Sequence, residues 1–133
     1  DDTGYCATDG KRLHISTNRE GLPNGVENGL YNVIISKDLV VFQPKDGQYP
    51  DYKTVIPKDV ENPIDINIGA DSGSISGALG LICVKCLNGT MAINFDYLED
   101  LAGTKWTVHG IPDKSVKFVS HGRIAVVMPL KLT

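Results

Sequence analysis

Cys83 and Cys86 stand as a Cys-x-x-Cys pair in "LICVKCLNGTMAINF", directly before an Asn-Gly dipeptide. That spacing serves thiol redox chemistry when it opens a helix, and zinc when a second ligand pair stands nearby. Asn88-Gly89 instead signals a two-residue β-hairpin, because both positions tolerate positive φ. In such a hairpin Ile82, Val84, Cys86, Met91, Ile93 and Phe95 share one apolar face. Cys83 then points to the opposite side from Cys86, since residues three apart on a strand alternate. The two thiols could neither bridge nor share an ion, and no metal is expected. A metal loop in place of the strand would need Cys83 and Cys86 with two more ligands from Cys6 and among His14, His109 and His121.

The stretch "GADSGSISGALG" resembles the nucleophile loop of chymotrypsin-type serine proteases over Asp71-Ser72-Gly73-Ser74 only. That resemblance implies a histidine base, and only His14 precedes Ser72. A weaker enzyme reading groups Asp71, Ser72 and His121. The glycines at 69, 73, 77 and 80 fit no phosphate-loop spacing and read as a flexible loop, or as places of close backbone approach. The carboxylates Asp96, Glu99 and Asp100, and the pair Asp46 and Asp51, lack the spacing of a calcium loop and read as solvated loop acids. No catalytic role and no cofactor are assigned. Tyr49, Asp51, Tyr52 and Tyr97 are the candidate partner-binding residues, because exposed tyrosines bring large contact area at small entropic cost.

The elements that must position these residues are mostly strands. "PIDINIG" alternates Ile64, Ile66 and Ile68 against Asp65 and Asn67, as a half-buried strand does. "LYNVIISKDLVVFQP" folds about Lys37-Asp38, with Ile35 opposite Val40 and Ile34 opposite Val41. "SVKFVSHGRIAVVMPL" turns at His121-Gly122, with Val119 opposite Ile124. Further strands are expected in "RLHIST", "KTVIP" and "KWTVHG", the last with Trp106 in the core. "FDYLEDLAG" is the one helical candidate, capped by Asp96 and ended by Gly103.

The fold class is therefore all-β: an antiparallel β-sandwich, jelly roll or small barrel of eight to ten short strands, with at most one short helix near 96–102. Residues 1–28 read as a polar N-terminal arm or loop-rich edge, and 29–133 as a single β domain. The chain opens without an initiator methionine, which suggests a processed or trimmed end.

With 133 residues, 41% hydrophobic and 22% charged, the composition is globular. A net charge of −3 and the lack of a basic stripe argue against nucleic acid as a partner. The apolar runs are too short for membrane insertion by a helix. Two hairpins apolar on both faces need cover on both sides, which points to protein partners. The expected function is a non-enzymatic structural module that oligomerises, or decorates a larger particle such as a viral capsid or tail. The alternative is a carbohydrate-binding or adhesin module built on Tyr49, Asp51 and Tyr52. Either role favours a virion or an extracellular surface.

Overall fold

The computed structural model describes residues 5–8, 11–16, 31–36, 39–44 and 56–131, with backbone only for Tyr5 and for 31–36 and 39–44. Ten strands and two helices follow in the order β1 (Tyr5–Thr8), β2 (Arg12–Ser16), β3 (Tyr31–Ser36), β4 (Leu39–Pro44), β5 (Ile64–Ile68), α1 (Ser72–Lys85), β6 (Met91–Ala92), α2 (Phe95–Glu99), β7 (Thr104–His109), β8 (Val116–Ser120), β9 (Arg123–Val127) and β10 (Leu130–Lys131). Six strands form one antiparallel sheet in the order β1-β2-β9-β8-β7-β5. β3 pairs with β4 and β6 with β10 in two separate ladders. The chain is thus predominantly antiparallel β.

Both long hairpins have the registers their sequences dictate. Ile34 opposes Val41 and Ile35 opposes Val40. Val119 opposes Ile124, Phe118 opposes Ala125, and Gly122 takes φ +72° at the turn. In β5 the isoleucines face inward while Asp65 and Asn67 stay exposed. Trp106 is buried, its indole N–H donates to the Leu101 carbonyl at 2.9 Å, and its ring meets Phe118 edge-on at 6.3 Å. The Arg123 guanidinium lies over the indole, 4.9 Å from its centroid.

The expectation of at most one short helix fails in the stretch from Asp71 to Asn88. The segment read as a glycine loop and the start of a hairpin is α1, a helix of 14 residues. Asp71 caps it: its carboxylate accepts the Ser74 backbone N–H and the Ser74 hydroxyl, each at 2.8 Å. Ile75, Ala78 and Ile82 recur at helical spacing and are buried, and Cys86 joins the same core just past the last turn. Val84, expected beside Ile82 on an apolar strand face, is 66% exposed.

Asn88 and Gly89 do take positive φ, at 52° and 70°. They end a helix, however, and do not join two strands. Gly89 N–H donates to the Cys83 carbonyl at 2.8 Å, which satisfies an acceptor left open at the helix end. Helix α2 lies in the region expected to be helical, but its cap is Asn94, which accepts the Asp96 N–H at 2.9 Å. Of the expected strand "KTVIP", residues 53–55 lie outside the described residues, and Ile56 and Pro57 are not in a strand.

The glycines before and within α1 have unlike reasons. A Cβ on Gly69 would stand 2.8 Å from the Ser74 Cβ, so a close approach within this chain requires that glycine. A Cβ on Gly77 or Gly80 would meet nothing within 4 Å. Strand registers place Ile66, Ile68, Trp106, Val108, Val116, Phe118, Ala125 and Val127 on one face of the large sheet, and these pack with α1 and α2 into a single core. Leu13 and Val126, paired on β2 and β9, are also buried but fall outside that core cluster.

Candidate functional site

Two places bring chemistry-bearing residues together. The first is a cleft of about 890 Å³, walled by the irregular segment 56–62, the end of α1 and the β7–β8 connection. Its organising feature is a cross-strand pair: His109, last residue of β7, opposes Lys117 on β8, and both are buried. Segment 56–62 supplies their partner. Asp59 receives the Lys117 ammonium at 2.5 Å and lies 3.8 Å from His109 Nε2. The hydrogen bond from Lys117, and then its charge, hold the Asp59 carboxyl below its ordinary value. His109 Nδ1 accepts the Val60 backbone N–H at 3.2 Å, so the neutral ring carries its proton on Nε2.

Lys58, Glu61, Lys85 and Lys114 also line this cleft. Its titratable residues do not form a metal site: among the described residues, no group of three His, Cys, Asp or Glu side chains could hold an ion. Nothing places an activated nucleophile there either. Cys86 is its one thiol, and burial, followed by the neighbouring Cys83, pushes it up and away from the reactive thiolate.

The second place lies where β2, α2 and β10 meet. Arg12 pairs with Asp100 and stacks over the Tyr97 ring, 4.5 Å from its centroid. Met128 N–H donates to the Lys11 carbonyl at 3.0 Å, and Leu130 pairs with Ala92. These bonds bring the chain after β9 beside Arg12 and the approach to α2. Met128 and Leu130 are nevertheless 53% and 61% exposed, two large apolar side chains left in water on this segment.

Of the residues singled out in the sequence, Tyr97 belongs to this second place, half-buried and packed against the core. Tyr49, Asp51 and Tyr52 lie outside the described residues, as does Asp46. Cys6 on β1, Cys83 on α1 and Cys86 are all free thiols. Burial pushes the Cys6 thiol up as well. Cys83 and Cys86 do not point apart as strand residues would: on a helix, residues three apart lie on the same side.

Asp71 is engaged by Ser74, whose backbone N–H and hydroxyl lower its carboxyl. That commitment to a helix cap leaves it poorly placed as a base for Ser72. Asp100 is bound by Arg12, while Asp96 and Glu99 are solvated, as expected of loop acids. Asp59 and Lys117 are not singled out in the sequence, and His109 only as one of the histidines that could complete a metal loop with the cysteines. No local pattern announces a cluster whose members are separated by 50 and 8 positions. The only hint is that His109 ends an alternating strand on its polar face.

No family model matches the sequence, and no curated protein sequence is similar to it. The fold is similar to that of the beta chain of DNA polymerase III from Streptococcus pneumoniae. The two agree with a TM-score of 0.56 at 16% sequence identity, over 96% of this chain and 53% of that one. This chain therefore spans about half the length of that protein.

Proposed function

We propose that this chain is a non-enzymatic assembly module, joining a larger particle through protein contacts made by the surface around Met128 and Leu130. The exposure of those two side chains, 53% and 61%, carries the reading. Large apolar groups left in water on a segment whose backbone is tied to Lys11 and Ala92 have the makeup of an interface centre. Tyr97, one of the tyrosines expected to bind a partner, lies at its border under Arg12.

The fold likeness favours one setting. The similar protein is named as a chain of DNA polymerase III, so a subunit of a nucleic-acid-copying assembly is the particle we favour. A viral capsid or tail is the other setting that an assembly module would suit. The partner in either is protein: a net charge of −3 gives no general attraction to phosphates. The finer architecture belongs to the same proposal. Leu13 and Val126, buried outside the helix-side core, support a second layer on the other face of the sheet, which would complete a sandwich. The carbohydrate-binding alternative rests on Tyr49, Asp51 and Tyr52 and gains no observation from the described residues.

Native mass spectrometry of the chain, beside a Met128→Asp/Leu130→Asp variant, tests the reading with a second copy as the partner. A closed homo-oligomer in the parent that falls to monomer in a folded variant supports it. Oligomers unchanged by the substitutions, or a parent that stays monomeric at every concentration, oppose it. Fluorescence anisotropy with duplex DNA forms the control arm. Tight binding that weakens steeply with salt would overturn the assignment of a protein partner.

A further inference from the structure

We infer that His109 is a proton-operated latch on the strap formed by residues 56–63. The strap runs into β5, and among the described residues no backbone–backbone hydrogen bond ties it to the rest of the fold. Its polar ties converge on one pair of neighbouring side chains. Val60 N–H donates to His109 Nδ1 at 3.2 Å, and Asp59 bridges Lys117 and the His109 ring.

The first tie exists only while Nδ1 has a free lone pair. A second proton on the ring goes to Nδ1 and turns that acceptor into a donor, so two N–H groups would face each other across 3.2 Å. The Val60 bond must then break.

The charges around the ring decide whether the strap is held another way. The imidazolium would stand beside Lys117, its cross-strand partner, and both cations would share the single carboxylate of Asp59. From the other walls of the cleft, Lys58 and Glu61 on the strap, Lys85 at the end of α1 and Lys114 before β8 face the same space. Together with Lys117 and Asp59 that makes four lysines against two carboxylates, so a further positive charge adds to an existing excess. Proton uptake removes one tie and divides the other. The strap is seated while the His109 ring is neutral and loosens when the ring takes up its second proton.

Amide hydrogen exchange by NMR, with the His109 ring signals followed in the same samples, tests this. Between pH 7.5 and 5.5 the Val60 protection factor should fall about fivefold to tenfold, the scale of one hydrogen bond, in step with the ring titration. Amides of β7 and β8 should hold theirs. In His109→Gln the side-chain carbonyl can still accept from Val60, and its protection should not vary with pH. Asp59→Asn keeps the Val60 bond and tests the latch where His109→Gln fails to fold; there protonation should release Val60 at least as completely. Unchanged Val60 protection while the ring titrates would overturn the latch. So would a ring that takes up no proton, or the same pH profile in His109→Gln.

Discussion

Ile82 and Val84 are two residues apart, and their substitution separates a helix from a hairpin. On an apolar strand face both would be buried and both costly to truncate. On α1 they diverge: Ile82 is fully buried in the core and Val84 is 66% exposed. Ile82→Ala removes three methyl or methylene carbons and leaves a cavity, a loss of about 2–5 kcal/mol. Val84→Ala buries and unburies little, and it exchanges a β-branched residue for the best helix former, so it should change stability by about 0.5 kcal/mol or less, in the favourable direction. Urea unfolding followed by Trp106, the single tryptophan, reads both effects, because its indole sits in the same core. With a slope of about 1.5–2 kcal/mol/M, a 3 kcal/mol loss moves the midpoint down by about 1.5–2 M. Val84→Ala should leave the midpoint almost in place. Equal losses for the two variants would refute the helix and restore the hairpin.

Glycine substitutions should split by position. Gly77→Ala and Gly80→Ala place a methyl in open space within a helix, and each should stabilise by about 0.5–1 kcal/mol in the same melts. Gly110→Ala drives a Cβ to 3.0 Å from the Cys86 Cβ and should lower the midpoint. Acid should weaken the fold through Asp59 and Asp71, whose carboxyls are both lowered in the folded state, chiefly by Lys117 and by the Ser74 N–H. A lowered carboxyl binds its proton less tightly when folded, so its contribution is present at neutral pH and is lost as pH falls below about 4. Urea midpoints measured from pH 6 to 2.5 should fall in that window, and Asp59→Asn should flatten part of the fall. Thiol alkylation at pH 7.5 should be slow at Cys6 and Cys86, and mass spectrometry of the digest would show any fast labelling that contradicts their burial.

Where a strand alternates, the sequence states its structure fully. Ile64, Ile66 and Ile68 face inward as their spacing requires, and the Val119–Ile124 register follows from the turn at His121-Gly122. These readings succeed because a two-residue period and a tight turn are local, and each fixes the other. Helix α1 was misread for an equally physical reason. Three glycines, at 73, 77 and 80, lower its intrinsic propensity, and Asn88-Gly89 carries the same positive-φ signature at a helix end as in a hairpin. The arbiter was present: Ile75, Ala78, Ile82 and Cys86 recur at intervals of three and four, which no strand satisfies. Asp71 three residues before Ser74 added a cap. The cluster of Asp59, His109 and Lys117 was not legible at all, because only the pairing of β7 with β8 makes neighbours of two of them.

The corrected helix also changes the physical setting of the Cys-x-x-Cys pair. Strand geometry had ruled out a shared ion by pointing the thiols apart, and that ground is gone. On α1 they lie on one side, near enough that the charge of Cys83 helps to raise the Cys86 thiol, after burial. The pair's end of the helix works against a lowered thiol. A reactive Cys-x-x-Cys draws on the positive N-terminal dipole to lower a thiol, whereas Cys83 and Cys86 sit at the C-terminus, where the dipole is negative. Lys85 stands between them, and as the one basic residue of the last turn it offsets that dipole from an exposed position. Cys86 therefore does the work of a small apolar residue, only 7% exposed against the core. Cys86→Ala should cost only about 1 kcal/mol, as a small cavity does, and Cys86→Ser should cost more because it buries a hydroxyl there. Urea melts of the two variants decide the matter: a serine variant as stable as the parent would mean that the thiol faces water and that its burial, not only its strand geometry, had been misread.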